Sequence, residues 1–322
     1  MATTRFQLVP TIDKVLQADV VSLINQLWSM SQSKRHVPCP NPSNLERKDF
    51  CTLSSQKYLV SPKVDGIRMF LLMGAMADSG KTYSVLINRA YDMFSVKLIA
   101  QHQELYDGTL LDGELCQQAN GDYHYTVFDA VVVEGYDLKS YPFDQRQDAY
   151  QGAVGALSSV ATGFTILSKQ WFPLDSASRV YEENKSNSDG LILQPVKGKL
   201  KSGIQADVFK WKPLDKQTID FYISVSPGQS QPILECGHGA DFIQASEVHC
   251  QFDNLATCSV VFGSQRQVYE CCYTRFNPDN QKLCFAVVKP RPDKRYANDA
   301  RVVISTLRSI QENITVEEIE TL

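Results

Sequence analysis

Apolar residues recur along this chain with two different periods, and the switches between them outline its elements. Thr11 reads as an N-cap, and Leu16, Val20, Leu23, Ile24 and Leu27 then return at helical spacing, which predicts an amphipathic helix with one face turned inward. Pro38, Pro40 and Pro42 enforce an extended crossing after it. Beyond that point alternation takes over. The segment 57–73 reads as two strands flanking a turn at Lys63, and 83–87, 110–116, 123–133, 191–196 and 208–212 read as short strands broken by Gly, Asp and Pro. Helices are expected between them over 144–157 and 176–183. After Pro213 the strands crowd together, at 218–225, 259–262, 268–273 and 283–288, a density that suits a small barrel. The final stretch, 299–322, is helical by period, with Val302, Val303, Leu307 and Ile310 on one side.

Composition narrows the class without deciding it. The chain has 322 residues, 43% of them apolar, enough for a sizeable core and more natural for two domains than one. A net charge of -4 argues against coating nucleic acid through bulk electrostatics, so phosphate binding is expected in a local cleft. The start lacks the features of a signal peptide, and no apolar run approaches the roughly 18 residues of a membrane span. An intracellular protein, cytoplasmic or nuclear and not secreted, is therefore expected, with no membrane association. The nine cysteines, none in a C-x-x-C pair, read as small buried hydrophobes in a reducing compartment. Cys236, His238, His249 and Cys250 have zinc-binding chemistry, but the spacing is wrong, because adjacent residues on a strand point to opposite faces.

The chemistry concentrates in Lys63-Val64-Asp65-Gly66-Ile67-Arg68, which joins a candidate nucleophile, a carboxylate, a flexible joint and a fixed cation. An amine attacks phosphorus only when unprotonated, and a free lysine with pKa about 10.4 is almost wholly protonated near neutrality. Cations nearby lower that value: Arg68 directly, with a bound divalent metal and further lysines adding to it. Asp65 pulls the other way and is expected to orient the amine or hold ribose. Gly66 would let backbone approach a nucleotide closely. Read alone, the hexapeptide is equally compatible with a solvated turn.

Three further segments place charge at strand ends. Asp112 and Glu114 flank Gly113, Asp189 precedes Gly190, and in 208–213 the residues Phe209 and Trp211 alternate with Lys210 and Lys212. Strand alternation puts both ammonium groups on one face, a repulsion that an anion would relieve. A competing phosphate-loop match, Ala75 to Thr82, fails on context: a true loop opens a helix, whereas 83–87 is an alternating strand, so Asp78-Ser79-Gly80 reads as a hairpin turn.

With these motifs in order, together with Asn88-Arg89-Ala90, Val127-Phe-Asp-Ala-Val-Val-Val133, Thr218-Ile-Asp-Phe221 and Arg291-Pro-Asp-Lys294, the chain resembles the mRNA capping guanylyltransferases, most closely their compact form in large DNA viruses. The resemblance implies an α+β fold: a nucleotidyltransferase domain of antiparallel sheets with flanking helices over 1–214, a C-terminal OB-fold β-barrel lid over 215–297, and a terminal helix, 298–322, packing back on the first domain. It implies that Lys63 takes GMP as a phosphoramidate and passes it to 5′-diphosphate-ended RNA. Asp65, Arg68, Lys210 and Lys212 would complete the catalytic set, the two lysines on the α-phosphate. Arg89, Glu114, Phe128, Lys169, Asp189, Arg291, Asp293 and Lys294 would bind GTP, with Phe128 stacked on guanine, Lys169 reading it, and the last three basic and acidic groups on the outer phosphates. Glu114 and Asp189 would also hold Mg2+ or Mn2+. The chain shows no phosphatase signature and no methyltransferase loop, so a separate RNA triphosphatase and cap methyltransferase are the expected partners of a monomer. An ATP-dependent polynucleotide ligase of the same superfamily, or a non-catalytic RNA-binding module, is the alternative.

Overall fold

The computed structural model describes residues 6–8, 12–30, 37–225, 232–239, 241–253, 265–292 and 294–322. The chain divides into two compact units, one from Met1–Ser43 with Thr52–Lys210, the other from Asn44–Cys51 with Trp211–Leu322. The expected boundary at 214 thus falls four residues earlier, where the buried Trp211 donates its indole N–H to the Ile314 carbonyl at 2.8 Å.

The first unit contains two large sheets and a small two-stranded one. In chain order its strands are β1 (Pro40–Asn44), β2 (Tyr58–Val64), β3 (Ile67–Ala75), β4 (Thr82–Asn88), β5 (Met93–Ser95), β6 (Leu98–Ala100), β7 (Thr109–Gln117), β8 (Tyr123–Val133), β9 (Tyr136–Asp137), β10 (Leu157–Ser159), β11 (Phe164–Ser168), β12 (Phe172–Pro173), β13 (Ser188–Pro195) and β14 (Gly203–Trp211). One large sheet runs β1-β14-β13-β2-β12 and the other β11-β8-β7-β3-β4-β5. Residues 65 and 66 therefore do not close a hairpin: β2 belongs to one sheet and β3 to the other, so the Lys63 hexapeptide is the corner between them. The pairs β2–β13, β3–β4, β3–β7 and β7–β8 are antiparallel as expected, whereas β11 lies parallel to β8. The reason is topological, since the chain between those two strands crosses over through a helix, and such a crossover returns a strand in the same direction.

Alternation along β3 shows how the larger sheet is buried on both faces. Met69, Leu71 and Met73 join one core with Phe143 and Tyr150, whereas Phe70 and Leu72 join another with Val20 and Ile24. Val20 and Ile24 come from α1 (Lys14–Leu27), which the side chain of Asp13 caps by accepting from Leu16 N at 2.9 Å. The expected cap, Thr11, lies outside the described residues. After α1 come the short α2 (Phe50–Ser55) and then the crossover helix α3 (Phe143–Gly155), which supplies Phe143 and Tyr150; α4 (Ala177–Asn184) follows. At the β3–β4 turn Gly80 is left-handed, with φ 65°, and donates to the Met76 carbonyl, which confirms the hairpin reading of the phosphate-loop decoy.

The second unit holds β15 (Thr218–Ser224), β16 (Ile233–His238), β17 (Asp241–Gln244), β18 (Cys250–Phe252), β19 (Gln267–Asn277) and β20 (Lys282–Pro290), in the order β17-β16-β15-β19-β20-β18. This curled six-stranded sheet is compatible with an OB-like barrel. His249 adopts φ 59° and closes a short helical turn instead of continuing a strand. The expected strand at 259–262 lies outside the described residues. Helix α5 (Ala300–Glu312) places Ala300, Val303, Leu307 and Ile310 in one core with Ile219, Phe221 and Phe285, so the terminal helix belongs to this unit. A short α6 (Val316–Glu320) follows, and residues 44–51 join both helices through Asn44 on Ser305 and Arg47 on Glu318.

Arg146 is among the fully buried charged side chains of the first unit. From α3 it makes a bidentate pair with Asp129, at 2.8 and 3.0 Å, and donates to the Tyr141 and Gly198 carbonyls, both at 2.7 Å. Removing one member of such a pair strands the other charge. Arg146→Met should therefore cost about 3–5 kcal/mol, read as a lowered midpoint in urea unfolding. A loss below about 1 kcal/mol would show that the pair carries little of the fold.

Candidate active site

Between the two large sheets of the first unit lies a cavity of about 340 Å³. The smaller sheet contributes Lys63, Ile192 and Lys210, and the larger contributes Arg68, Glu114 and Phe128. Lys63, at the end of β2, donates to both oxygens of Asp189 on β13, at 2.8 and 3.0 Å. The carboxylate that holds the amine is thus Asp189. Asp65, assigned that role from its neighbourhood in sequence, is exposed on the corner turn.

Arg68 also differs from expectation. Its Nε donates to Asp112 at 2.9 Å, its Nη2 to the other oxygen of the same carboxylate, and its Nη1 to the Pro40 carbonyl. Asp112 is wholly buried. Burial works against the guanidinium, but the charge of Asp112 and its hydrogen bonds overcome that and hold Arg68 above its ordinary range. The arginine is consequently a fixed wall of the cavity, 5.3 Å from the Phe128 ring centre. Gly66 is required for a reason other than nucleotide approach: a Cβ there would lie 2.6 Å from Cys116 Sγ and 2.7 Å from the Leu115 carbonyl oxygen, so the corner can press against β7 only without a side chain.

Phe128 faces the cavity, while its strand neighbours Val127 and Asp129 are buried. The parallel register sets Ser168 opposite Val127, and Lys169 N donates to the Val127 carbonyl at 2.8 Å. Lys169 Nζ consequently sits 5.7 Å from the Phe128 ring and 5.6 Å from Trp171, whose indole is held by Tyr150 at 3.0 Å. An aromatic face flanked by two cations is a natural platform for a base. Enclosure lowers Lys169 to about 8; Glu114 opposes that shift and Lys63 adds to it. Burial raises the Glu114 carboxyl against Lys169, Lys63 and Arg68.

Arg89 is exposed at the cavity mouth and donates to Asn41 Oδ1 at 2.5 Å. The second unit contains Lys212, Arg291 and Lys294, and there Arg291 and Lys294 both pair with Asp220. Asp293 lies outside the described residues. Sequence reasoning missed Asn41, Arg146, Trp171 and Gln194, all of which line the cavity. Of these, Gln194 had a signal, since strand alternation from Ile192 puts it on the same face.

No group of three acidic, histidine or cysteine side chains gathers among the described residues. Glu114 and Asp189 nonetheless fit a hard divalent ion that keeps most of its waters, because the Glu114 carboxylate accepts no hydrogen bond among the described residues and both carboxylates act on Lys63.

Residues 6–214 match the family model described as "mRNA capping enzyme, catalytic domain". The chain is 23% identical to the mRNA-capping enzyme of Danio rerio over 303 residues, covering 87% of this chain and 48% of that protein. It is 24% identical to mRNA-capping enzyme subunit alpha of Schizosaccharomyces pombe over 325 residues, covering 88% and 78%. The chain thus spans about half the length of the first of these relatives. Among solved structures it is similar to "mycobacterial DNA ligase D complexed with ATP and MES", with 15% identity, 80% and 95% coverage and a TM-score of 0.46.

The Lys169 environment gives a titration to measure. A lysine lowered to about 8 is charged below that pH and neutral above it. NMR titration of isotope-labelled lysine should place its midpoint near 8, move it up in Lys63→Met and move it further down in Glu114→Gln. A midpoint in the range of exposed lysines would mean that the ammonium is solvated and not enclosed.

Proposed function

The chain belongs to the mRNA capping enzyme family, and on that premise we propose that it is a GTP:RNA guanylyltransferase whose nucleophile is Lys63. The observation that carries this reading is the position of Lys63: its amine, held by Asp189, enters a cavity that also presents an aromatic face, the Glu114 carboxylate and several cations. A nucleoside triphosphate needs that combination. In the first step the Lys63 nitrogen forms a bond to the α-phosphorus of GTP, and the bond to the bridging oxygen breaks to release pyrophosphate. In the second, the terminal phosphate oxygen of 5′-diphosphate RNA takes the phosphorus, the nitrogen leaves, and a GpppN end results. Both steps depend on positioning and charge neutralisation more than on covalent assistance.

Each side chain has work that its geometry allows. Phe128 stacks on the base, with Arg68 and Lys169 against the same ring. Lys210 neutralises the α-phosphate, Arg89 meets ribose and phosphate at the mouth, and Asp189 orients the amine until the nucleotide arrives. Enzymes of this nucleotidyltransferase superfamily use divalent metal ions. Here the ion would be Mg2+ or Mn2+, held by Glu114 and Asp189, and it would supply charge neutralisation at the reacting phosphate. The family resemblance extends the set to Lys212 and to Arg291, Asp293 and Lys294 on the outer phosphates. An RNA triphosphatase and a cap methyltransferase carried on other chains or domains would supply the diphosphate end and modify the product.

Incubation with α-labelled GTP and Mg2+ or Mn2+ should leave label on the denatured protein, and Lys63→Ala should carry none. The bond should be labile to acid and stable to alkali, as a P–N bond is; the reverse lability would move the nucleophile to a carboxylate. ATP should label poorly, and equal labelling would favour ligation. Arg291→Ala or Lys294→Ala should slow adduct formation by about 10² to 10³, if each supplies about 3 to 4 kcal/mol. Transfer from preformed adduct to RNA should survive, because pyrophosphate has already left. A parallel loss in both steps would remove the two residues from the pyrophosphate site.

A further inference from the structure

Gln194 is 7% exposed and lines the cavity, yet its side-chain amide makes no hydrogen bond among the described residues. Three polar neighbours in the same sheet and wall are engaged. Ser61 donates to the Gln170 carbonyl at 2.7 Å, Gln205 to the Lys201 carbonyl at 2.5 Å, and Asp129 is held by Arg146. The amide atoms are open to the cavity and not sealed in the protein, so a ligand that fills the cavity takes the place of water on them.

Placement says which part of a ligand that is. On β13, Gln194 stands opposite Leu59 of β2, four residues from Lys63 on the same strand. At about 3.3 Å per residue that separation is roughly 13 Å, which sets Gln194 toward the far end of the cavity from the nucleophile. A nucleotide whose α-phosphate meets Lys63 would direct its base, not its phosphates, toward that end. Behind the amide, the 195–198 turn closes over it: a Cβ on Gly198 would lie 3.5 Å from Gln194 Nε2, and the Gly198 carbonyl is fixed by Arg146. The cavity is the side from which a partner can approach.

We propose that Gln194 reads the base, its amide oxygen accepting from the N1–H and 2-amino edge of guanine. The inference rests on the guanylyltransferase reading and deepens it. An ammonium offers only donors, so Lys169 suits the guanine O6. The groups that remain on that edge are donors, and Gln194 provides the acceptor that they lack.

The test compares Lys63 adduct formation from GTP and from inosine triphosphate, which has the same O6 and N1–H but no 2-amino group. The unsubstituted protein should prefer GTP. Gln194→Met, close in size but without the amide, should slow GTP about tenfold, the scale of one buried hydrogen bond, and bring the two nucleotides to similar rates. Gln194→Glu keeps the acceptor and should keep the preference, which a packing role would not explain. An unchanged GTP-to-ITP ratio in the Met variant overturns the proposal, as do equal rates for the two nucleotides in the unsubstituted protein, a result that needs no variant to fold. Absence of any adduct with GTP would instead overturn the guanylyltransferase reading, so the two failures are distinct.

Discussion

The buried pair between Arg68 and Asp112 is the interaction on which the site depends. Lys63 and Arg68 are five positions apart, but they stand on different sheets, because the chain turns a corner at Asp65 and Gly66. Two sheets joined at one short corner would be free to splay unless something fixed them. Arg68 does so by gripping Asp112 on β7 with two hydrogen bonds while donating to the Pro40 carbonyl on β1, the edge strand of the other sheet. A lysine could not replace it, since a single ammonium lacks the planar fork that reaches a carboxylate and a carbonyl together. Gly66 completes the corner by removing the one atom that would hold it off β7.

From that geometry the electrostatics of the cavity follow. Once the walls are fixed, Lys63, Lys169, Lys210 and Arg89 are brought to one space with Glu114 as an acidic counterweight and Asp189 on Lys63. Crowded cations are unfavourable in a protein at rest, and Lys63 adds to the enclosure that lowers Lys169 to about 8. An incoming triphosphate relieves it. The same enclosure that makes the cations expensive makes their contacts with a phosphate strong, because little water competes inside.

Much of this was legible in the sequence where period and motif agree. The strands over β7 and β8, the α3 and α4 helices and the hairpin replacing the phosphate loop were all visible, because local alternation and turn chemistry decide them. Lys63, Glu114, Phe128, Lys169 and Lys210 were recognised as one site from a family resemblance and do meet at one cavity. What failed was long-range. Nothing in Lys-Val-Asp-Gly-Ile-Arg says that it bridges two sheets, so Asp65 was credited with the contact that Asp189 makes from 126 residues away. Likewise nothing local in the sequence singles out Arg146, because its partner Asp129 is brought to it by the packing of α3 on β8. The terminal helix showed its apolar face plainly, but the partner of that face, the core with Phe221 and Phe285, is set by tertiary packing.

Attachment of the nucleotide to Lys63, between the two sheets, is the central requirement of this mechanism. A crystal structure of the protein after reaction with GTP and removal of pyrophosphate tests that directly. It should show phosphorus bonded to Lys63 Nζ, the base against Phe128, and the Arg68–Asp112 pair intact across the corner. Phosphorus on Asp189 or Glu114, or a nucleotide bound outside the cavity between the two sheets, would contradict it.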